Sequence, residues 1–118
     1  MAQSQKRSPE AMLPLKPADF HILMVLSRND LHGYGIMQQV EAESAGRVRL
    51  EVGSMYRLIG RLTDEGLVAE SDRENSERRR YYRITQFGKQ VARLEAQRLV
   101  DVVSAARRND LLGDGEVL

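Results

Sequence analysis

Val52-Gly53-Ser54-Met55-Tyr56-Arg57-Leu58-Ile59-Gly60-Arg61-Leu62 is the stretch on which the fold turns. Met55, Leu58, Ile59 and Leu62 stand at i, i+3, i+4 and i+7, so an α-helix puts all four on one face. Gly66 follows where a helix C-terminus commonly takes a left-handed residue. The opposite face carries Ser54, Arg57, Gly60, Arg61 and Asp64, with Tyr56 at its margin. One side is core, and the other offers hydroxyl and guanidinium groups to solvent.

Toward the N-terminus, Arg47-Val48-Arg49-Leu50-Glu51-Val52 alternates polar and apolar, which predicts a short half-buried strand leading into that helix. Ile36, Met37, Val40 and Ser44 fall one turn apart and predict a second helix that ends near Gly46. His32-Gly33-Tyr34-Gly35 reads as the turn before it. A first helix starts at Pro17, with Asp19 in its first turn, runs through the apolar Phe20, Ile22, Leu23, Met24, Val25 and Leu26, and stops at Asn29-Asp30. Residues 1–14, polar and with two prolines, read as a flexible arm.

Toward the C-terminus, Leu67 to Glu70 and Arg80 to Ile84 are β-prone and flank an almost wholly polar and charged Asp72 to Arg79, a hairpin with a solvated tip. Thr85 caps a final helix expected to reach about Arg108, roughly 34 Å long at 1.5 Å per residue. Ala92, Ala96, Leu99, Val103 and Ala106 repeat along it at spacings of 4, 3, 4 and 3, a heptad seam. Phe87, Val91, Leu94 and Val102 make a second apolar stripe. A small domain needs one such stripe for its own core, and a second left bare invites aggregation, so the seam is assigned to dimerisation. The expected organisation is an arm over 1–14, a domain over 15–84, a dimerisation helix over 85–108 and a flexible tail over 109–118.

Composition narrows the function. The 118 residues suit one domain, and 42% hydrophobic with 30% charged residues is a globular balance. With no cysteine and only His21 and His32, disulfides, thiolate zinc sites and cysteine nucleophiles are excluded and no metal site or cofactor is expected. No Gly-rich phosphate loop and no nucleophile–base pair suggests catalysis, so no catalytic residue is assigned and the chain is not expected to be an enzyme. The longest apolar run, Ile22 to Leu26, is far short of the roughly 20 residues that span a bilayer, and no secretory signal pattern is seen, so a cytoplasmic location without a membrane partner is expected. The net charge of +1 announces no nucleic acid by itself. Fifteen of the 18 basic residues are arginine, whose planar fork suits phosphate and guanine edges; genomic codon bias explains that excess equally well.

Four motifs in unbroken order then carry a resemblance: Leu31-His32-Gly33-Tyr34-Gly35-Ile36; Val52 to Leu62; Glu65-Gly66-Leu67-Val68; and Arg79-Arg80-Tyr81-Tyr82-Arg83-Ile84-Thr85 with Gly88. Over roughly residues 15–108 the chain resembles the PadR family of bacterial transcriptional regulators, in its short form with a single C-terminal helix. The resemblance implies a mainly α (α+β) winged helix-turn-helix domain with a two-stranded wing and a long C-terminal dimerisation helix. It further implies a homodimeric repressor on a palindromic operator in double-stranded DNA. The third helix enters the major groove and each wing follows the backbone or minor groove. Matched position by position, Ser54 and Tyr56 become phosphate-contacting hydroxyls, and Arg57 and Arg61 reach phosphate or a guanine edge. Met55 stands where the family usually has Leu, and Gly60 departs from its pattern. Arg79 and Arg80 are wing contacts on this view; the alternative is a solvated run balanced by Glu74 and Glu77. Tyr56 has an alternative as a packing residue, and His32 and Tyr34 are expected to pack. Family members often respond to aromatic small molecules in or near the dimer cavity, so the resemblance admits such an effector, while 5% aromatic residues and no Trp do not favour an aromatic-stacking site. The competing function is a winged-helix protein-interaction module that binds no DNA.

Overall fold

The structure, a computed structural model, describes residues 7–72 and 80–113. Its elements in order are α1 (Pro17–Leu26), β1 (Leu31–His32), α2 (Gly33–Glu43), α3 (Val52–Asp64), β2 (Val68–Glu70), β3 (Tyr81–Ile84) and α4 (Gln86–Arg108). The sheet is antiparallel in the order β1-β3-β2, with Leu31 opposite Tyr82 and Val68 opposite Ile84. This is the expected winged helix-turn-helix arrangement. β2 and β3 form the wing, and residues 73–79 between them lie outside the described set, Arg79 included.

The core explains the element order. α1 is apolar nearly all round and buries Ile22, Leu23, Val25 and Leu26, as a central helix must. Ile36 and Val40 of α2, Met55, Ile59 and Leu62 of α3, and Val91 of α4 close around it. Each such side chain contributes on the order of 1.5 to 3 kcal/mol by leaving water. Leu67, Val68, Tyr82 and Ile84 seal the sheet side.

Two local expectations are corrected. Residues 47–51 form no strand: the Val48 N–H donates to the Ser44 hydroxyl at 2.9 Å, folding the chain back onto the end of α2. Val48 and Leu50 are half-buried as loop anchors, which produces the same alternation a strand would. The His32 stretch is not a turn before a helix. Leu31 and His32 add an edge strand to β3, and the His32 Nδ1 accepts from the Gly35 N–H at 3.2 Å, so His32 is the N-cap of α2 itself.

Of the expected arm, residues 1–6 lie outside the described set and residues 7–14 within it. Pro9–Met12 form a 3-10 turn, capped by Ser8 and packed against α4, and Met12, Leu13 and Leu15 rest on the core. The Leu15 N–H donates to Glu95 Oε1 at 3.3 Å. Glu95, only 2% exposed on α4, also takes hydrogen bonds from Arg98 Nε and Nη2 at 2.9 and 2.7 Å. These bonds, Arg98 first, hold its carboxyl below the ordinary range against the opposing effect of burial. At the other end the Leu111 N–H returns to the Ala106 carbonyl at 3.0 Å, so α4 is closed rather than frayed at residues 109–111.

α3 and α4 are stitched together. Gly66, at φ 81°, ends α3, and the Leu67 N–H closes on the Leu62 carbonyl. The Thr85 hydroxyl donates to the Gly66 carbonyl at 2.7 Å and accepts from the Gly88 N–H at 2.9 Å, capping α4 as expected. A side chain at Gly88 would run into the Leu67 carbonyl oxygen, so α4 starts in contact with the turn that ends α3.

Candidate nucleic-acid interface

Met55, Ile59 and Leu62 are drawn into the core with Leu58 packed against it, and the opposite side of α3 faces outward. Arg57 is exposed, and among the described residues it makes no hydrogen bond or ion pair. Ser54 is half-buried one turn before Leu58, and Val52, Gly53 and Gly60 are exposed around Arg57.

Tyr56 is 50% exposed and is also a packing residue. Its hydroxyl leans on the start of α2, so that a Cβ at Gly33 would stand 2.6 Å from the hydroxyl oxygen. Tyr82 of β3 is close by: burial first, then Tyr56, pushes its hydroxyl up in pKa, while Arg80 acts in the opposite sense. Tyr56, Tyr82 and Arg80 thus meet where α2, α3 and the wing converge. Arg80 is exposed, with a loose 3.6 Å pairing to Glu70 that leaves its guanidinium accessible.

Arg61 has partners inside the protein and also lines the outward groove beside Arg57. Its Nη2 donates to both carboxylate oxygens of Asp19, at 2.8 and 3.1 Å, and Nη1 reaches Glu65 at 3.5 Å. Asp19 is buried in the first turn of α1. The Asp19 hydrogen bond is the main reason the Arg61 guanidinium is raised in pKa. Arg61 ties α3 to α1 and pairs its charge with Asp19, while its side chain stays 38% exposed.

His32 packs as expected, edge-on to Tyr81 with ring centroids 5.4 Å apart. Tyr34 does not: it is 62% exposed beside Tyr56's anchor point. Reading His32 as an N-cap would have found it, since that puts Tyr34 in the first helical turn, off the Ile36–Val40 core face. Lys16 was also missed. It is the exposed residue before Pro17, and it lines a groove of about 700 Å³ together with Ser54, Arg57, Gly60 and Asp64.

The seam residues divide. Ala92 packs partly on its own core, and Ala92 and Ala96 line a groove of about 410 Å³ with Phe20 and Met24 of α1. Leu99 and Val103 are exposed further along the same stripe, and Ala106 is half-buried. Val100 and Val102 are exposed as well. Among the described residues, no three His, Asp or Glu side chains gather as a metal site would require, and no helix is long and apolar enough to cross a membrane.

Comparison with solved structures agrees with this architecture. A PadR family transcription regulator from Clostridium difficile R20291 superposes with a TM-score of 0.67 at 24% identity, covering 83% of this chain and 100% of that one. A transcriptional regulator from Clostridium thermocellum gives 0.66 at 23% identity, covering 77% and 87%. Bacillus subtilis PadR, solved in complex with operator DNA, gives 0.56 at 24% identity, covering 66% of this chain and 46% of that one. No curated protein sequence matches. The sequence profile of the transcriptional regulator PadR-like family matches residues 22–94, more than half of the chain, and the protein therefore belongs to the PadR-like family of transcriptional regulators.

Proposed function

We propose that this protein is a sequence-specific regulator of transcription that binds a palindromic operator in double-stranded DNA as a homodimer, acts as a repressor in the cytoplasm, and is released by a small-molecule inducer. The observation that carries the reading is Arg57: a long, uncommitted cation at the centre of the outward face of α3, in a family of transcriptional regulators. Such a helix reads base edges in the major groove while neighbouring groups hold phosphates. Ser54 and Tyr56 supply hydroxyls to the backbone, and Arg57 reaches a guanine edge or phosphate. Arg80 approaches the DNA from the wing.

The dimer is supported by apolar surface. Phe20, Met24, Ala92 and Ala96 line one groove, Leu99 and Val103 are exposed further along the stripe that Ala92 and Ala96 belong to, and small residues permit a close approach of a second helix. A two-fold pair then presents two copies of α3 to half-sites about one DNA turn apart. An inducer acts by changing the angle between the two heads and so the spacing of the two reading helices.

Fluorescence anisotropy with promoter DNA tests this. Binding is expected to weaken steeply with salt as counterions are released. Arg57→Ala is expected to cost about 1 to 3 kcal/mol of affinity with the mass of the dimer unchanged. Absence of any salt-sensitive binding would favour the protein-interaction module instead.

A further inference from the structure

The groove of about 700 Å³ beside α3 has walls from two elements. One is the outward side of α3, with Ser54, Arg57 and Gly60. The other is Lys16, exposed at the start of α1, with no side-chain bond to the helix it precedes. Of the other charges lining it, Arg61 is paired with Asp19, and Asp64 is the one carboxylate among the lining residues, one turn beyond Gly60 toward the end of α3. Lys16 and Arg57 remain as cations without an ion pair among the described residues, facing one channel from opposite elements. Gly60 stands midway along the α3 wall. No atom lies within 4 Å of where its Cβ would be, so nothing inside the protein requires a glycine there. A glycine in a helix interior costs about 1 kcal/mol relative to alanine, a loss this fold does not recover.

We infer that one sugar–phosphate strand of the bound duplex runs through this channel, with Lys16 holding a phosphate from the α1 side and Gly60 leaving room for the strand against the α3 backbone. The inference rests on the DNA-binding reading above and extends its footprint to the start of α1, which neither the motifs nor the charge pattern assigned. Phosphate contacts position a protein on DNA without reading its sequence. Lys16 therefore has a different signature from a base-reading residue.

The test uses the full chain, a duplex that the wild-type protein selects from a random-sequence pool, and an unrelated duplex of equal length, titrated between 50 and 200 mM salt. Lys16→Ala is expected to weaken binding to both duplexes by the same factor, and to reduce the slope of log affinity against log salt by about 0.9 per bound subunit. Lys16→Arg is expected to restore both. Gly60→Leu is expected to weaken binding while circular dichroism and the melting temperature stay at wild-type values or above. If wild-type binding is steeply salt-dependent but Lys16→Ala and Gly60→Leu leave affinity and slope unchanged, the strand path is wrong and the reading of α3 stands. A Lys16→Ala loss confined to the selected duplex also overturns it, since Lys16 would then read bases. If the wild-type protein shows no salt-sensitive binding, the DNA reading and the inference fall together.

Discussion

Arg57 and Arg61 stand one turn apart on α3 with identical chemistry, and the fold uses them in opposite ways. Arg57 points at solvent, whereas Arg61 is captured by Asp19, which is 42 positions away in the chain. Periodicity reports which face of a helix a residue occupies and is blind to a partner brought in by another helix. The outward face was therefore legible, while the division of labour on it was not. In the sequence Asp19 shows only as a charge suited to the first turn of α1, a role it keeps. The pairing predicts that Asp19→Asn lowers stability by about 1 to 2 kcal/mol, between an exposed pair and a fully buried one because Arg61 is 38% exposed and can return to water. Chemical denaturation measures that loss. Operator affinity is expected to change far less than in Arg57→Ala.

Among the elements, long helices with clean caps were legible and short pieces held by side chains were not. Thr85 and the apolar stripes of α4 fix it from sequence alone, because capping and 3.6-residue periodicity are local. β1 is two residues long and exists only because β3 offers an edge, and the 47–51 loop imitates a strand because its two anchors alternate. Glu95 was hidden for a related reason. A glutamate in an amphipathic helix reads as wet, yet the N-terminal segment covers it and Leu15 and Arg98 satisfy it. Its folded carboxyl is held below the ordinary value of 4.5, so it contributes stability that is present above that value and lost as pH falls through it toward the folded pKa. Glu95→Gln is therefore expected to be about 1 kcal/mol less stable at pH 7. The gap to wild type should close between pH 5 and pH 3 in thermal melts followed by circular dichroism, and a gap independent of pH would show that shape rather than charge matters there.

As a whole the molecule is elongated. A compact chain of this length has a radius of gyration of about 13.5 Å, whereas this one has 15.8 Å and extends 52 Å along its longest axis. The distal part of α4 accounts for the difference, since among the described residues none beyond Glu95 on that helix is buried. Leu99 and Val103 belong to no core of their own chain, so replacing either with Asp is expected to leave the domain folded and to yield monomers by light scattering. A dimer that survives both changes would put the seam elsewhere.

The stitching of Gly66, Leu67, Thr85 and Gly88 has a mechanical corollary. α3 and the long rod are joined at a shared corner by two hydrogen bonds and one close backbone approach, which resist a twist there. A torque applied far out on the rod, by a neighbour or a wedged molecule, arrives at the reading edge as rotation of the entire head.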